Sequence, residues 1–118
     1  MRARKIVSFV LILLLVISSG CVGTSTESKD TLAKCLTEKG VKMYGADWCQ
    51  HCKNQKAAFG SSFQYVDYVE CDPAGPNANP QECINAGING YPTWIINGVQ
   101  YSGEQDLGTL ANVAGCAY

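Results

Sequence analysis

Apolar positions along the 118-residue chain fall into two unlike regimes. Ile6 to Ile17 is one run, apolar apart from Ser8, with Arg2, Arg4 and Lys5 before it and Ser18-Ser19-Gly20-Cys21 after it. From Thr31 onward the apolar residues come instead in short blocks punctuated by glycine. Between the two, Thr24 to Asp30 is polar and without period and reads as a flexible spacer.

The glycine-punctuated part predicts a definite order of elements. Asp30 can cap a helix from Thr31 to about Lys39, stopped by Gly40. Val41 to Tyr44 reads as a short strand ending at Gly45, and a helix then runs from Cys49 to Phe59 with Gly60 closing it. Phe63 to Cys71, rich in aromatic and β-branched residues, reads as a second strand. Asp72 to Pro80 carries three prolines, a glycine and two asparagines and is a loop; Pro80 to Ala86 is a short helix stopped at Gly87. Thr93–Ile96 and Val99–Tyr101 flank Asn97-Gly98, a strong hairpin signal, and a last helix covers about Asp106 to Ala114 with Gly115 beyond it. A helical crossover makes the first two strands parallel, and a tight turn makes the last two antiparallel. The expected fold is therefore α/β: a four-stranded mixed sheet flanked by helices, of thioredoxin type.

Composition and charge narrow the class. With 47% hydrophobic and 16% charged residues the chain suits a folded domain and not a disordered one. Both arginines lie in the first four residues. Beyond residue 20 there are six lysines against ten acidic residues, net −4, compared with −1 for the whole chain. An acidic domain without arginine lacks the bidentate phosphate ligand and repels polyanions, which argues against nucleic acid as a partner.

The leader reads as a targeting device. A basic start, an apolar stretch and small residues at its end make a signal peptide over residues 1–20. Cys21 after Ser-Ser-Gly resembles the lipobox of exported lipoproteins and is the candidate lipidation site, although Ser18 stands where leucine is usual. Two other readings stay open: an uncleaved anchor, since no charge falls between Ile6 and Thr26, and a plain secreted protein. The expected organisation is a signal peptide or anchor over 1–20, a polar tether over 21–30 and a folded domain over 31–118. The expected location is outside the cytoplasm, with the domain tethered to a membrane.

Seven cysteines in so short an exported chain point to disulfides. Setting Cys21 aside leaves Cys35, Cys49, Cys52, Cys71, Cys83 and Cys116, which counting alone pairs in fifteen ways. Cys71 and Cys83 flank the proline-rich loop and read as one structural bridge; Cys35 and Cys116 are then left to each other. A redox relay through Cys71 or Cys83 is the functional alternative.

Trp48-Cys49-Gln50-His51-Cys52 carries the chemistry. At a strand-to-helix junction Cys49 falls at a helix N-terminus, where unpaired N–H groups and the helix dipole favour an anion. Cys52 lies one turn on, within disulfide reach. Thiol–disulfide exchange needs an exposed thiolate that attacks and a second thiol that resolves the mixed disulfide, and Cys49 and Cys52 supply these roles in that order. His51, the sole histidine, would favour the Cys49 thiolate and make the disulfide more oxidising. This chemistry requires no cofactor and no metal. The rivals are a copper or zinc site built from Cys49, Cys52 and His51, which lacks further ligands at zinc-finger spacing, and a structural bridge that never cycles. In Gly90-Tyr91-Pro92-Thr93-Trp94, proline opening a strand fits a cis peptide, with a trans edge proline as the alternative. Tyr91 either pairs its backbone with an extended substrate chain or packs on Trp48.

WCxxC at a helix start, followed forty residues later by a proline opening a hairpin, resembles the thioredoxin superfamily. More narrowly, the segments from Tyr44 to Lys56, Tyr68 to Pro73 and Gly90 to Asn97 are similar to the thioredoxin-like domain often fused to vitamin K epoxide reductase homologues. The resemblance covers roughly Leu32 to Cys116. It implies an attacking Cys49, a resolving Cys52 and a cis-Pro92 facing them. It further implies disulfide transfer to exported proteins, with reoxidation by a quinone-linked membrane oxidoreductase of the vitamin K epoxide reductase type. Such a partner is expected here as a separate chain. One departure bears on mechanism: thioredoxins carry a buried acid six residues before the first active-site cysteine, and that place is Met43. A second is Gln50, where proline or glycine is often found. The favoured direction is oxidative, with a thioredoxin-like reductase or isomerase as the alternative.

Overall fold

The computed structural model describes residues 25–118. The signal peptide or anchor, Cys21 and the first part of the expected tether lie outside the described residues. Among those described, no helix is long and apolar enough to cross a membrane.

The described residues begin with α1 (Ser25–Glu38), which buries Leu32, Ala33 and Leu36 on one face. This helix starts six residues earlier than the pattern predicts, so residues 25–30 are helical and not a flexible spacer. Two side-chain arrangements accompany the difference. Ser28 and Thr31 bond back to the carbonyls of Ser25 and Glu27, and Asp30 caps nothing. Its carboxylate instead accepts the Ser62 hydroxyl at 2.5 Å, a tertiary partner that sequence spacing does not reveal.

After a turn at Gly40 (φ +74) comes β1 (Lys42–Gly45), then α2 (Gln50–Phe59), which turns Cys52, Gln55 and Phe59 inward. A 3-10 segment, Gly60–Tyr65, takes up the first three residues of the expected strand, and β2 is confined to Asp67–Glu70. Phe63 and Tyr65 have strand propensity, but tertiary packing overrides it. Phe63 sits edge-on to both Phe59 and Tyr68, with ring centroids 6.1 and 5.7 Å away. The Thr37 hydroxyl donates to Tyr65 O at 2.6 Å and accepts from Asp67 N at 3.2 Å, fixing the turn into β2.

α3 (Pro80–Asn85) has Asn79 as its cap and proline in its first turn. β3 (Thr93–Ile96) and β4 (Val99–Ser102) meet at Asn97 (φ +52) and Gly98 (φ +77), the left-handed pair that a type I′ hairpin turn requires. α4 (Leu107–Ala114) is capped by Asp106, whose carboxylate accepts the N–H groups of Gly108 and Thr109.

The strands lie in the order β2-β1-β3-β4. β1 and β2 are parallel, with Met43 opposite Tyr68 and Gly45 opposite Glu70; β1–β3 and β3–β4 are antiparallel. The fold is the mixed, helix-flanked sheet of thioredoxin type. Because strand residues alternate between faces, Met43, Trp94 and Ile96 pack with α1, α2 and α4, whereas Tyr44 and Val69 pack with Cys71, Cys83 and Ile95 on the side of α3. Gln55 is the polar pivot of the larger core. Its Oε1 accepts the Trp94 indole N–H at 3.1 Å and Gln105 N at 2.6 Å, and its Nε2 donates to Gln105 O at 2.9 Å. Among the described residues no buried side-chain N or O lacks a partner.

Two disulfides close the molecule. Cys71–Cys83 spans 12 residues across the proline-rich loop, and Cys35–Cys116 spans 81, tying α1 to the segment after α4. Loop-closure entropy grows with the logarithm of loop length. Converting Cys71 and Cys83 to Ala should therefore cost about 3 kcal/mol of unfolding free energy and converting Cys35 and Cys116 about 4.5 kcal/mol. Equilibrium denaturation in urea checks the order, which would be reversed if chain entropy were not the main term.

Candidate active site

The site is assembled where β1 ends and α2 begins. Cys49 is the N-cap of α2 in an extended conformation (φ −75, ψ 120), and its sulfur accepts the Cys52 backbone N–H at 3.4 Å. A helix N-terminus presents unpaired N–H groups, and here one of them is aimed at the sulfur. The Cys49 thiol also donates to the Tyr91 carbonyl at 3.6 Å. Cys49 is 6% exposed and Cys52 is fully buried one turn below it; both are free thiols. The pair is thus ordered by depth, with the outer sulfur reachable at the surface and the inner one reachable only through it.

The Tyr91–Pro92 peptide is cis, and the loop that holds it is tied on both sides. Thr93 Oγ1 donates to Gly90 O at 2.7 Å and Gly103 N donates to Pro92 O at 2.8 Å. Trp48, 67% exposed, meets the Tyr91 ring edge-on with centroids 6.2 Å apart. Tyr91 thus packs on Trp48, and its carbonyl accepts the Cys49 thiol. An exposed indole beside a half-buried tyrosine makes an apolar rim around the Cys49 sulfur.

His51 lies outside this cluster. Its exposed ring places Nδ1 2.9 Å from Glu104 Oε2, so its hydrogen bond joins α2 to the segment before α4 and does not reach the Cys49 sulfur. The copper or zinc reading needs His51 with both cysteines, and among the described residues no group of three or more His, Cys, Asp or Glu side chains is gathered that could hold a metal ion.

Three residues that sequence reasoning passed over frame Cys52. Gly45 approaches so closely that a Cβ there would lie 2.9 Å from the Tyr68 ring and 3.0 Å from both Cys52 Sγ and the Tyr68 hydroxyl. Tyr68 donates in turn to Glu70 Oε2 at 3.2 Å, and Glu70 is only 3% exposed. The signal for these was available: Tyr68 and Glu70 share a strand face by their spacing of two, beside the strand that carries Met43 and Gly45.

Burial pushes the Cys52 thiol from the ordinary 9.0 up to about 12; the hydrogen bond with Cys49 adds to this, and one from the Ala46 backbone opposes it. Burial likewise drives Tyr68 upward, assisted by the Glu70 charge. A folded-state value above the unfolded one means that the folded state holds the proton more tightly, so stability is intact below about 9 and declines as pH rises toward about 12. Oxidised protein has no Cys52 proton to lose. The stability of the reduced form relative to the oxidised form, followed by urea unfolding from pH 8 to pH 11, is expected to fall with pH; a constant difference would contradict the buried-thiol assignment.

No family model matches the chain. It is similar to a thiol-disulfide oxidoreductase of Arabidopsis thaliana, 47% identical over 88 residues, an overlap that takes in 71% of this chain and 23% of that protein. The chain thus spans about a quarter of the length of the curated relative it matches. The described residues are a thioredoxin-like α/β domain with a free Cys49–Cys52 pair at a helix N-terminus, similar over most of the chain to part of a thiol-disulfide oxidoreductase.

Proposed function

We propose that the protein is a thiol–disulfide oxidoreductase that works through Cys49 and Cys52. The observation that carries this reading is the depth-ordered pair: a near-surface sulfur that accepts a helix N-terminal N–H, and a buried free thiol one turn behind it. In the reducing direction the Cys49 thiolate attacks a substrate disulfide and expels one substrate thiolate, leaving a mixed disulfide. Cys52 then loses its proton and attacks the Cys49 sulfur, the second substrate thiolate leaves, and the Cys49–Cys52 bond forms. In the donating direction the same bonds are exchanged in reverse, so two substrate thiols become a disulfide and the protein becomes the dithiol. Trp48 and Tyr91 offer the substrate chain an apolar rim beside Cys49. His51 sits at the periphery, hydrogen-bonded to Glu104.

The finer reading is an exported, membrane-tethered donor of disulfides, reoxidised by a membrane oxidoreductase of the vitamin K epoxide reductase type. Its supports are the basic and apolar leader, Cys21 in a lipobox-like setting, and the two further disulfides, which belong to an oxidising compartment.

Cys49→Ser should reduce exchange with a dithiol peptide to the uncatalysed rate, while Cys52→Ser should accumulate covalent adducts through Cys49, seen by non-reducing electrophoresis and mass spectrometry. Full activity of Cys49→Ser would end the proposal. A glutathione titration of the pair tests direction: a potential near about −120 mV fits a donor, and one near about −270 mV fits a reductant.

A further inference from the structure

Every cycle of the Cys49–Cys52 pair moves a proton at Cys52. Its thiol must give one up before attacking Cys49, or take one back when the disulfide is opened from outside. Cys52 is fully buried, so bulk water does not meet its sulfur directly. Thioredoxins place a buried acid six residues before the first cysteine, and here that position is the apolar Met43. The proton therefore needs another acceptor.

The groups facing Cys52 are few. From α2 come Cys49 and Lys56, whose ammonium lies 4.0 Å above the centre of the Tyr68 ring. From the segment between β1 and α2 comes Asp47, which is exposed and acts on Tyr68 through its charge. From β2 come Tyr68 and Glu70. Only this last pair joins a partly buried hydroxyl to a buried carboxylate through a hydrogen bond. The Cys52 sulfur and the Tyr68 hydroxyl each lie 3.0 Å from one point, the place of an absent Cβ on Gly45, so they are separated by at most the span of one bridging water. The Tyr68 hydroxyl then donates to Glu70 Oε2 at 3.2 Å. Glu70 is sealed beneath the proline-rich loop: it accepts Asp72 N at 3.4 Å, and a Cβ on Gly75 would collide with its carboxylate. The Cys71–Cys83 bridge holds that loop closed at both ends.

We propose that Tyr68 and Glu70 form the proton relay of the resolving cysteine, taking the place of the acid that Met43 displaces. In the reducing direction the Cys52 proton passes across one bridging water to the Tyr68 oxygen as the Tyr68 proton passes to Glu70, and the Cys52 thiolate attacks the Cys49 sulfur. In the donating direction Glu70 returns the proton by the same route as Cys52 leaves. The proton balance is the same either way, so the relay does not depend on which way electrons flow. It rests on the exchange reading above. Tyr68 and Glu70 are positioning residues that act through Cys52, and Gly45 is the residue whose lack of a side chain leaves the path open.

The test is stopped-flow reaction of the reduced full chain with a chromogenic aromatic disulfide, from pH 6 to pH 10. The first thiolate released reports attack by Cys49, and the second reports resolution by Cys52. Tyr68→Phe and Glu70→Gln should each slow the second phase about a hundredfold at pH 7, the low end for positioned proton transfer, and leave the first phase within twofold. The slowing should shrink as pH rises and hydroxide takes over the proton. The double variant should be no slower than the slower single one, since the two residues act as one unit. Asp47→Asn should leave the profile unchanged. A second phase that is unaltered, or slowed equally at every pH, would overturn the relay alone. Absence of any first phase in the unmodified protein would overturn the exchange reading and the relay with it.

Discussion

The seating of the Cys52 sulfur against Gly45 is the constraint on which the site depends. It sets the depth difference between the two thiols, and it requires a glycine at the end of β1, because any side chain there would meet the sulfur and the Tyr68 ring together. It also brings a buried, protonated thiol next to β2, which carries the buried carboxylate of Glu70. Cys49 has the opposite setting. Its sulfur faces a helix N–H and a backbone carbonyl near the surface, so the pair contains one outer and one inner sulfur.

The rest of the fold holds that contact in place. The inner face of α2 is fixed by Gln55, whose carboxamide bonds to the indole of Trp94 on β3 and to both backbone groups of Gln105. The same residue thus anchors the helix that carries the cysteines to the sheet and to the segment leading into α4. On the other side of β1, Lys42 bridges Glu82 at 2.5 Å and Asp67 at 3.9 Å, linking the central strand to α3 and β2 through partly exposed groups whose role is to set register more than to stabilise. The two disulfides act at the periphery, one over the loop that covers Glu70 and one joining the first helix to the end of the last.

Most of the architecture was legible in the chain because it rests on local rules. Glycine at positive φ ends α1, α2 and α4, Asn97-Gly98 turns the hairpin, and Asn79 and Asp106 cap the helices that follow them. The misreadings came where long-range partners outweighed propensity. The aromatic run from Phe63 promised a long strand, yet Phe63 is drawn onto Phe59 and Tyr68, and only Asp67–Glu70 remains extended. Asp30 has the composition of a cap, yet its carboxylate is taken by Ser62 and the helix runs through it.

Spacing alone was enough to determine the mixed sheet, the helix start at Cys49 and the presence of a second cysteine one turn later, since each follows from hydrogen bonding and sterics over a few neighbouring residues. Only the tertiary structure decided what surrounds those sulfurs. His51 adjoins Cys52 in the chain but turns to Glu104, while Tyr68 and Glu70, sixteen or more residues away, close around Cys52 because the parallel pairing of β1 and β2 sets them beside Met43 and Gly45. Sequence order carries the periodicity that chooses a face. It does not carry the register between strands, which is set by packing across the whole sheet, and it is the register that sets Tyr68, hydrogen-bonded to Glu70, beside the Cys52 thiol.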